Sequence, residues 1–223
     1  IEAARRQLTA LGTDYIKSSP KPQLAILVNT MLNWQKLSEW ARVDEVAKQT
    51  LALYGEVTEE QSKRVVDQLV RPMVGEALLQ QRRFQEAYDM LVAAEKANPT
   101  QWELKRQIAR ALGGWFEFSK TGAAVREPGL DRPVEAYMKY YADRENSYRI
   151  WAERPEVKKF SLEWYRFMWE SYWFAKQAGK KDSKYAESAA KFFRIARSTN
   201  EFKTLLTYGA EGKELHTYVM SNR

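Results

Sequence analysis

Residues 71–99 read RPMVGEALLQQRRFQEAYDMLVAAEKANP, and this stretch decides the fold. In its first half a small residue, Gly75, lies one turn before Leu78. The second half spaces its small and apolar residues by four and then three positions: Ala87, Leu91 and Ala94, with Pro99 at the end. Residues at these steps share one face of a helix, so the stretch predicts a pair of helices. Such a pair cannot bury its apolar face alone, which predicts similar pairs on either side.

The spacing resembles the tetratricopeptide repeat, W-x₂-L-G-x₂-Y…A-x₃-F…P. Looser matches to the same steps follow along the chain: Ile108, Ala109 and Leu112; Ala136 and Tyr140; and Ala189, Phe193 and Ala196. The resemblance implies an all-α fold, an antiparallel helix-hairpin array of the α-solenoid type with irregular outer repeats. It also implies a function without catalysis, the docking of a peptide or partner protein in a concave groove.

The organisation predicted is a single all-helical domain over residues 1–223. Its parts are generic helical hairpins over 1–57, the best repeat over 58–99, a degenerate repeat with a long loop at 119–133 over 100–146, an aromatic-rich degenerate repeat over 156–198, and a C-terminal cap over 200–223. Helices are predicted over 2–17, 22–34, 36–54, 58–81, 84–97, 100–118, 132–146, 156–178, 183–198, 200–208 and 211–220. Strand signals are nearly absent, since no sustained alternation and no Asn-Gly or Asp-Gly turn occurs.

Composition limits the class of protein without naming a partner. Apolar residues make up 44% of the 223 and charged residues 29%, and no apolar run approaches the roughly 18–20 residues that span a bilayer. We therefore expect a soluble protein, in a bacterial cytoplasm or in the periplasm or another extracytoplasmic space. The absence of cysteine excludes disulfides, thiolate catalysis and most zinc sites. The chain begins IEAARR without methionine, which suggests a fragment or a processed form.

The residues that usually carry catalysis are also missing. The chain has one histidine, His216, and no Gly-x-Gly-x-x-Gly, Walker or Gly-x-Ser-x-Gly motif. We therefore predict no enzyme activity, no metal site and no cofactor. A glycosidase would need a glutamic acid with a raised pKa, and only Glu163 and Glu170, beside tryptophans, are candidates.

Aromatic residues are concentrated between residues 134 and 174, which hold thirteen of the 29 in the chain. A helix that is aromatic on most of its circumference is either packed between neighbours or offers an aromatic surface to a partner. If these helices line the concave groove that the resemblance implies, Lys and Arg would bind an acidic group of the partner, and Tyr and Trp would supply apolar contact. The predicted partner-binding residues are Glu76, Gln80, Lys105, Arg106, Tyr165, Trp169, Tyr172 and Trp173, with Arg126 and Arg132 from the long loop.

Two other functions stay open. In the first, the tryptophans of a carbohydrate- or cell-wall-binding module of a bacterial envelope would stack on sugar rings. In the second, the basic residues between 180 and 203 would bind nucleic acid, consistent with a net charge of +7. An ordinary solvated helix face explains the same basic residues. Nothing in the sequence fixes the oligomeric state.

Overall fold

The computed structural model describes residues 2–118, 124–142, 161–198 and 200–221. The fold is all-α apart from one two-stranded hairpin in the described part. Within these ranges, no helix is both long enough and apolar enough to cross a membrane. Where the sequence suggested one domain, the contacts divide the chain into two compact units, residues 1–99 and residues 100–223, at the turn formed by Asn98, Pro99 and Thr100.

The N-terminal unit is built from successive helices. They are α1 (Glu2–Ser18), α2 (Leu24–Lys36), α3 (Trp40–Tyr54), α4 (Glu60–Val65), a π-helical segment (Val66–Val70), α5 (Arg71–Gln80) and α6 (Phe84–Ala97). Contacts join α1 to α2, α2 to α3, α3 to α5, and α5 to α6. Helix α5 therefore packs on α6, as the spacing in residues 71–99 predicts.

The helical stretch from Glu60 to Gln80 is continuous but not uniform. At its start the Glu59 carboxylate accepts hydrogen bonds from the backbone N–H groups of Gln61 at 3.0 Å and Ser62 at 2.8 Å. The π-helical turn then precedes Pro72, which has no backbone N–H. Proline inside a helix also clashes with the carbonyl four residues earlier, and a wider turn relieves that clash.

Helices α2 and α3 are joined by a Schellman turn without glycine. Ser38 has φ +58°, and its N–H donates to the Gln35 carbonyl at 2.9 Å. The N–H of Glu39 donates to the Trp34 carbonyl at 3.0 Å. These two bonds satisfy carbonyls that the last helical turn would leave unpaired.

The same turn closes the pair α5 and α6. Arg82 has φ +60°, its N–H donates to Leu79 at 2.9 Å, and the N–H of Arg83 donates to Leu78 at 2.9 Å. Arg82 lies 44 residues after Ser38, and the donors and acceptors of the two turns are related by the same offset. The fully buried residues of the second helix in each pair match at the same offset: Val43, Ala47 and Thr50 in α3, and Ala87, Leu91 and Ala94 in α6. The pair α2 and α3 thus has the same type of turn and the same buried positions as the pair α5 and α6.

Replacing Ser38 with glycine is expected to stabilise the protein by about 1 kcal/mol, because a left-handed residue with a Cβ is strained. Ser38 is exposed, so the change removes little packing. Ala52→Gly at an exposed position inside α3 is the matched control, expected to cost about 1 kcal/mol. Urea unfolding followed by circular dichroism measures both. Equal effects of the two glycines would contradict the assignment of strain to Ser38.

The pair α5 and α6 packs at unusually close range. A Cβ atom added to Gly75 would lie 2.4 Å from Cδ2 of Leu91, and Leu91 is fully buried. The small residue that the sequence placed in the first helix is therefore required by a side chain of the second. This contact accounts for the spacing between the two helices physically, whichever family the chain belongs to.

The C-terminal unit is organised around one long helix. Its elements are α7 (Trp102–Gly113), β1 (Trp115–Phe118), β2 (Ala124–Glu127), α8 (Pro133–Ala142), α9 (Leu162–Lys181), a 3₁₀ turn (Ser183–Tyr185), α10 (Ala186–Ser198), a 3₁₀ segment (Asn200–Thr207) and α11 (Gly209–Ser221). Helix α9 contacts α8, α10 and α11, and α8 also contacts α7. The aromatic-rich helix is thus packed between neighbours, the first of its two sequence readings.

The predicted helix 100–118 is wrong beyond Gly113. Gly114 has φ +80° and ψ −179°, which ends the helix, and residues 115–118 pair antiparallel with residues 124–127. A Cβ on Gly114 would lie 2.1 Å from the Glu127 carbonyl oxygen, so the tight approach of the two strands needs glycine there. Part of the predicted loop 119–133 is therefore strand β2.

After the hairpin the chain returns to the end of α7. The N–H of Leu130 donates to the Ala111 carbonyl at 2.9 Å, and the N–H of Arg132 donates to the Leu112 carbonyl at 2.8 Å. These bonds satisfy two carbonyls of the last turn of α7. Helix α8 then begins at Pro133, a residue favoured at the first position of a helix.

Candidate functional site

The C-terminal unit contains a cavity of about 250 Å³. Its charged lining consists of Arg106, Arg110, Arg166 and Glu170. Its aromatic lining consists of Trp115, Trp169, Trp173 and Phe174, and Gly114 and Leu215 complete the wall. The cavity therefore combines three guanidinium groups with three indole rings.

Helix periodicity explains how these residues converge. Arg106 and Arg110 are four residues apart on α7 and share one face. On α9 the cavity residues Arg166, Trp169, Glu170 and Trp173 follow the steps i, i+3, i+4 and i+7. That pattern interleaves charged and indole side chains along one stripe of the helix. Trp115, the first residue of β1, is contributed to the cavity by the hairpin.

Glu170 is the hub of the polar contacts. The Arg106 guanidinium donates from Nε to Oε2 and from Nη2 to Oε1, each at 2.9 Å. Arg110 donates from Nη2 to the same Oε1, and the Tyr140 hydroxyl donates to Oε2 at 3.2 Å. The side chains of Arg106, Arg110 and Glu170 are only 16%, 17% and 13% exposed. A bidentate pair that is this buried is held in one geometry.

These contacts set the charge states. Burial alone would raise the pKa of Glu170, but attraction and hydrogen bonds from Arg106 and Arg110 outweigh it and lower the pKa to about 2. Burial and the neighbouring Glu170 carboxylate raise the pKa of Tyr140 well above its ordinary value. At neutral pH the cluster therefore holds an ionised carboxylate, a neutral phenol and charged guanidinium groups. A general acid needs a raised pKa, so Glu170 has the wrong shift for that role.

Arg110 has one donor atom that the described residues leave without an acceptor. Among the described residues, three arginines and one glutamate line the cavity, and Glu103, which lies outside the lining, is 3.6 Å from Arg106. The Nε atom of Arg110 is buried and has no hydrogen-bond partner among the described residues. A buried donor without a partner favours an added acceptor such as an anion.

The structure brings together three of the predicted partner-binding residues: Arg106, Trp169 and Trp173 line the cavity. Tyr165 and Tyr172 are buried and line, with Trp169, a much smaller neighbouring cavity of about 10 Å³. Lys105 is on α7 but does not line either cavity.

Glu76 and Gln80 lie elsewhere, on α5 of the N-terminal unit. The Gln80 amide donates to the Glu76 carboxylate at 2.8 Å. The two therefore form an ordinary i, i+4 pair along one helix, and neither is among the residues that line the cavity.

The predicted loop residues are placed differently. Arg126 lies in β2, opposite Phe116 in the register, and its side chain is outside the described ones. Arg132 precedes α8, is 45% exposed, and lies 3.9 Å from Glu135. The side chain of the other carboxylate candidate, Glu163, is also outside the described residues.

The structure also places the residues of the two alternative functions. Among tryptophans with described side chains, Trp34 and Trp40 are half-buried and the other four are buried. The basic residues between 180 and 203 are mostly exposed: Lys180, Lys181, Lys184, Lys191, Arg194 and Lys203. Lys184 forms an ion pair with Asp182 at 2.8 Å.

Sequence reasoning missed Arg110, Arg166, Trp115 and Tyr140. Two of these carried a usable signal, since Arg110 follows Arg106 by one turn and Arg166 precedes Trp169 by three residues. Trp115 was assigned to a helix, and Tyr140 was treated only as a repeat position. Sixty-four residues separate Arg106 from Glu170, and no local pattern reports that contact.

No family model matches the chain. The search of curated proteins gives no match either. Among the described residues, no group of three or more His, Cys, Asp or Glu side chains could hold a metal ion.

Proposed function

We propose that the protein is a non-catalytic binding protein whose C-terminal unit captures a partner peptide by an acidic side chain. The arginine–tryptophan cavity, lined by Arg106, Arg110 and Arg166 with Trp115, Trp169 and Trp173, is the observation that carries this proposal. Arginine presents a planar array of donors that suits a carboxylate. Indole rings supply a large apolar area at low entropic cost.

The size of the cavity supports an anchor rather than a whole ligand. A volume of about 250 Å³ is below the roughly 300–1,000 Å³ of sites that enclose drug-sized molecules. It accommodates one side chain of a longer partner, with the rest of the partner lying outside. A similar arrangement of one buried anchor in a pocket is common at protein interfaces.

An array of immobilised acetylated peptides tests the proposal, with a central Glu, Gln or Lys in mixed apolar flanks. We expect the Glu series to bind at least about tenfold more tightly than the Gln series, because charged hydrogen bonds contribute roughly 1.5–3 kcal/mol. Arg110→Gln should remove that preference. Arg132→Gln, at an exposed arginine outside the cavity, is the matched control and should keep it. Binding that ignores the central residue, or that survives Arg110→Gln, would overturn the proposal.

The two alternative functions give different results in solution. Sugar stacking on the cavity tryptophans would need no charge on the ligand, whereas the proposed function needs one. Titration with glycan fragments while following tryptophan fluorescence measures that alternative directly. Nucleic acid bound through the basic residues 180–203 would show an affinity that falls steeply with salt, and Arg110→Gln would leave it unchanged.

A further inference from the structure

We infer that the anchor recognised by the arginine–tryptophan cavity is an aryl anion, an aromatic ring that carries a carboxylate or phosphate group. This inference rests on the proposed function and names the chemistry of the group that enters the cavity. It goes beyond an acidic side chain, because it requires a ring and a charge in the same small group.

The order of residues along α9 is the first argument. Arg166 and Trp169 are three residues apart, and Glu170 and Trp173 repeat that step one turn later. At 1.5 Å per residue, the stripe from Arg166 to Trp173 is about 10 Å long. A ligand that uses both kinds of side chain must therefore carry its charge and its apolar part within a short distance.

The kind of apolar surface is the second argument. Among the described residues that line the cavity, three are tryptophans, one is Phe174, and Leu215 is the only one with an aliphatic side chain. Aromatic pairs gain roughly 0.5–1.5 kcal/mol beyond the area they bury. Guanidinium groups also stack on aromatic rings. An aromatic guest is therefore favoured over an aliphatic guest of the same size.

Size and charge together complete the argument. At about 30 Å³ of liquid per water molecule, 250 Å³ corresponds to about eight waters. That is room for one substituted ring and little more. The buried Nε atom of Arg110, which has no hydrogen-bond partner among the described residues, can donate to a substituent on the ring, and a guanidinium donor favours an anionic substituent.

Isothermal titration calorimetry on the wild-type chain tests the inference with simple probes. Benzoate and phenyl phosphate carry ring and charge, cyclohexanecarboxylate and acetate carry charge without a ring, and phenol carries a ring without a full charge. We expect benzoate to bind about three- to tenfold more tightly than cyclohexanecarboxylate, and at least tenfold more tightly than acetate or phenol. Equal affinity for benzoate and cyclohexanecarboxylate would overturn the inference.

A variant separates the role of the ring from that of the charge. Trp173→Leu keeps an apolar wall but removes an indole, so the preference for benzoate over cyclohexanecarboxylate should fall below twofold while acetate binding stays the same. Circular dichroism checks that the variant is folded. A full preference retained in folded Trp173→Leu would count against stacking at that residue and against the inference. The wild-type comparison is decisive even if the variant does not fold.

The source of the aryl anion is resolved by one more probe. A glycine-flanked, acetylated phosphotyrosine peptide carries the phenyl phosphate group inside a chain. Binding as tight as that of phenyl phosphate assigns the anchor to a protein partner and supports the inference. Binding of phenyl phosphate alone also supports the inference, but assigns it to a free small molecule and removes the peptide proposal. Conversely, capture of Glu peptides with no benefit from a ring leaves the proposed function standing and rejects the aryl anion.

Discussion

Replacing Glu170 with alanine is expected to destabilise the C-terminal unit by about 3–5 kcal/mol, because it leaves two largely buried arginines without their shared carboxylate. Six of the eight tryptophans belong to this unit, so denaturant unfolding followed by tryptophan fluorescence reports on it. Glu135→Ala is the matched control, since that carboxylate is 59% exposed and its nearest arginine lies 3.9 Å away. We expect the control to change stability by less than about 0.5 kcal/mol.

Acid supplies an independent measurement of the same contact. The pKa of Glu170 is about 2 in the folded protein against an ordinary value of 4.5. Its ionised form therefore contributes stability that is complete above pH 4.5 and is lost as the pH falls toward 2. The shift corresponds to about 3 kcal/mol. Stability of the wild type should decline over that range by about this amount more than stability of Glu170→Ala. Two results would contradict the role of Glu170 as the shared partner of the arginines. One is the same dependence of stability on pH in the wild type and in Glu170→Ala, and the other is a loss of stability below about 1 kcal/mol in Glu170→Ala at neutral pH.

Gly114→Ala is expected to cost about 3 kcal/mol or more and to separate the hairpin from α7. The residue has φ +80° and ψ −179°, a region that only glycine occupies readily. The new methyl group would also meet the Glu127 carbonyl oxygen at 2.1 Å, and backbone cannot move aside as a side chain can. Because Gly114 and Trp115 line the cavity, binding of any anionic probe should weaken together with stability.

Gly209→Ala is the control that distinguishes the cost of backbone strain at Gly114 from the cost of the steric overlap with Glu127. Gly209 also has a positive φ, +68°, but a Cβ there would meet nothing within 4 Å. Only the conformational cost, roughly 1–2 kcal/mol, should appear in that variant. Thermal unfolding of both variants gives the difference, which measures the overlap with Glu127. A Gly114→Ala protein no less stable than Gly209→Ala would show that the strands can separate freely at this point.

Most of the helices could be predicted from the sequence, because the three- and four-residue spacing of apolar residues reports on a helix within one short stretch of chain. The small residue Gly75 and the buried Ala87, Leu91 and Ala94 lie where the spacing placed them. The hairpin was missed because Trp115 and Phe116 continue the apolar content of α7. The decisive fact is the backbone angle of Gly114, and the adjacent Gly113 looks the same in sequence. The sequence does not reveal the 44-residue offset, because α3 and α6 share which positions are buried but not the residues that occupy them.

The candidate site was only partly predictable, for a different reason. Helix order predicts Arg106, Trp169 and Trp173 as partner-binding residues, and each lines the cavity. Glu170 was considered as a possible acid, but its shift goes the other way. The sign of a pKa shift depends on which charges lie near the group in space, and Arg106 and Arg110 are 64 and 60 residues from Glu170 along the chain. Sequence spacing describes one helix face at a time and does not say which faces meet.

Hydrogen bonds from Leu130 and Arg132 return the chain to the last turn of α7 after the hairpin. Because α7 ends at Gly113, the two ends of the hairpin segment lie close together at that turn. Segments anchored in this way tolerate exchange, since the elements on either side keep their contacts whatever lies between. The same segment supplies Trp115 to the cavity. Changes in this short hairpin would therefore alter one wall of the cavity while the arginine–glutamate cluster stays in place.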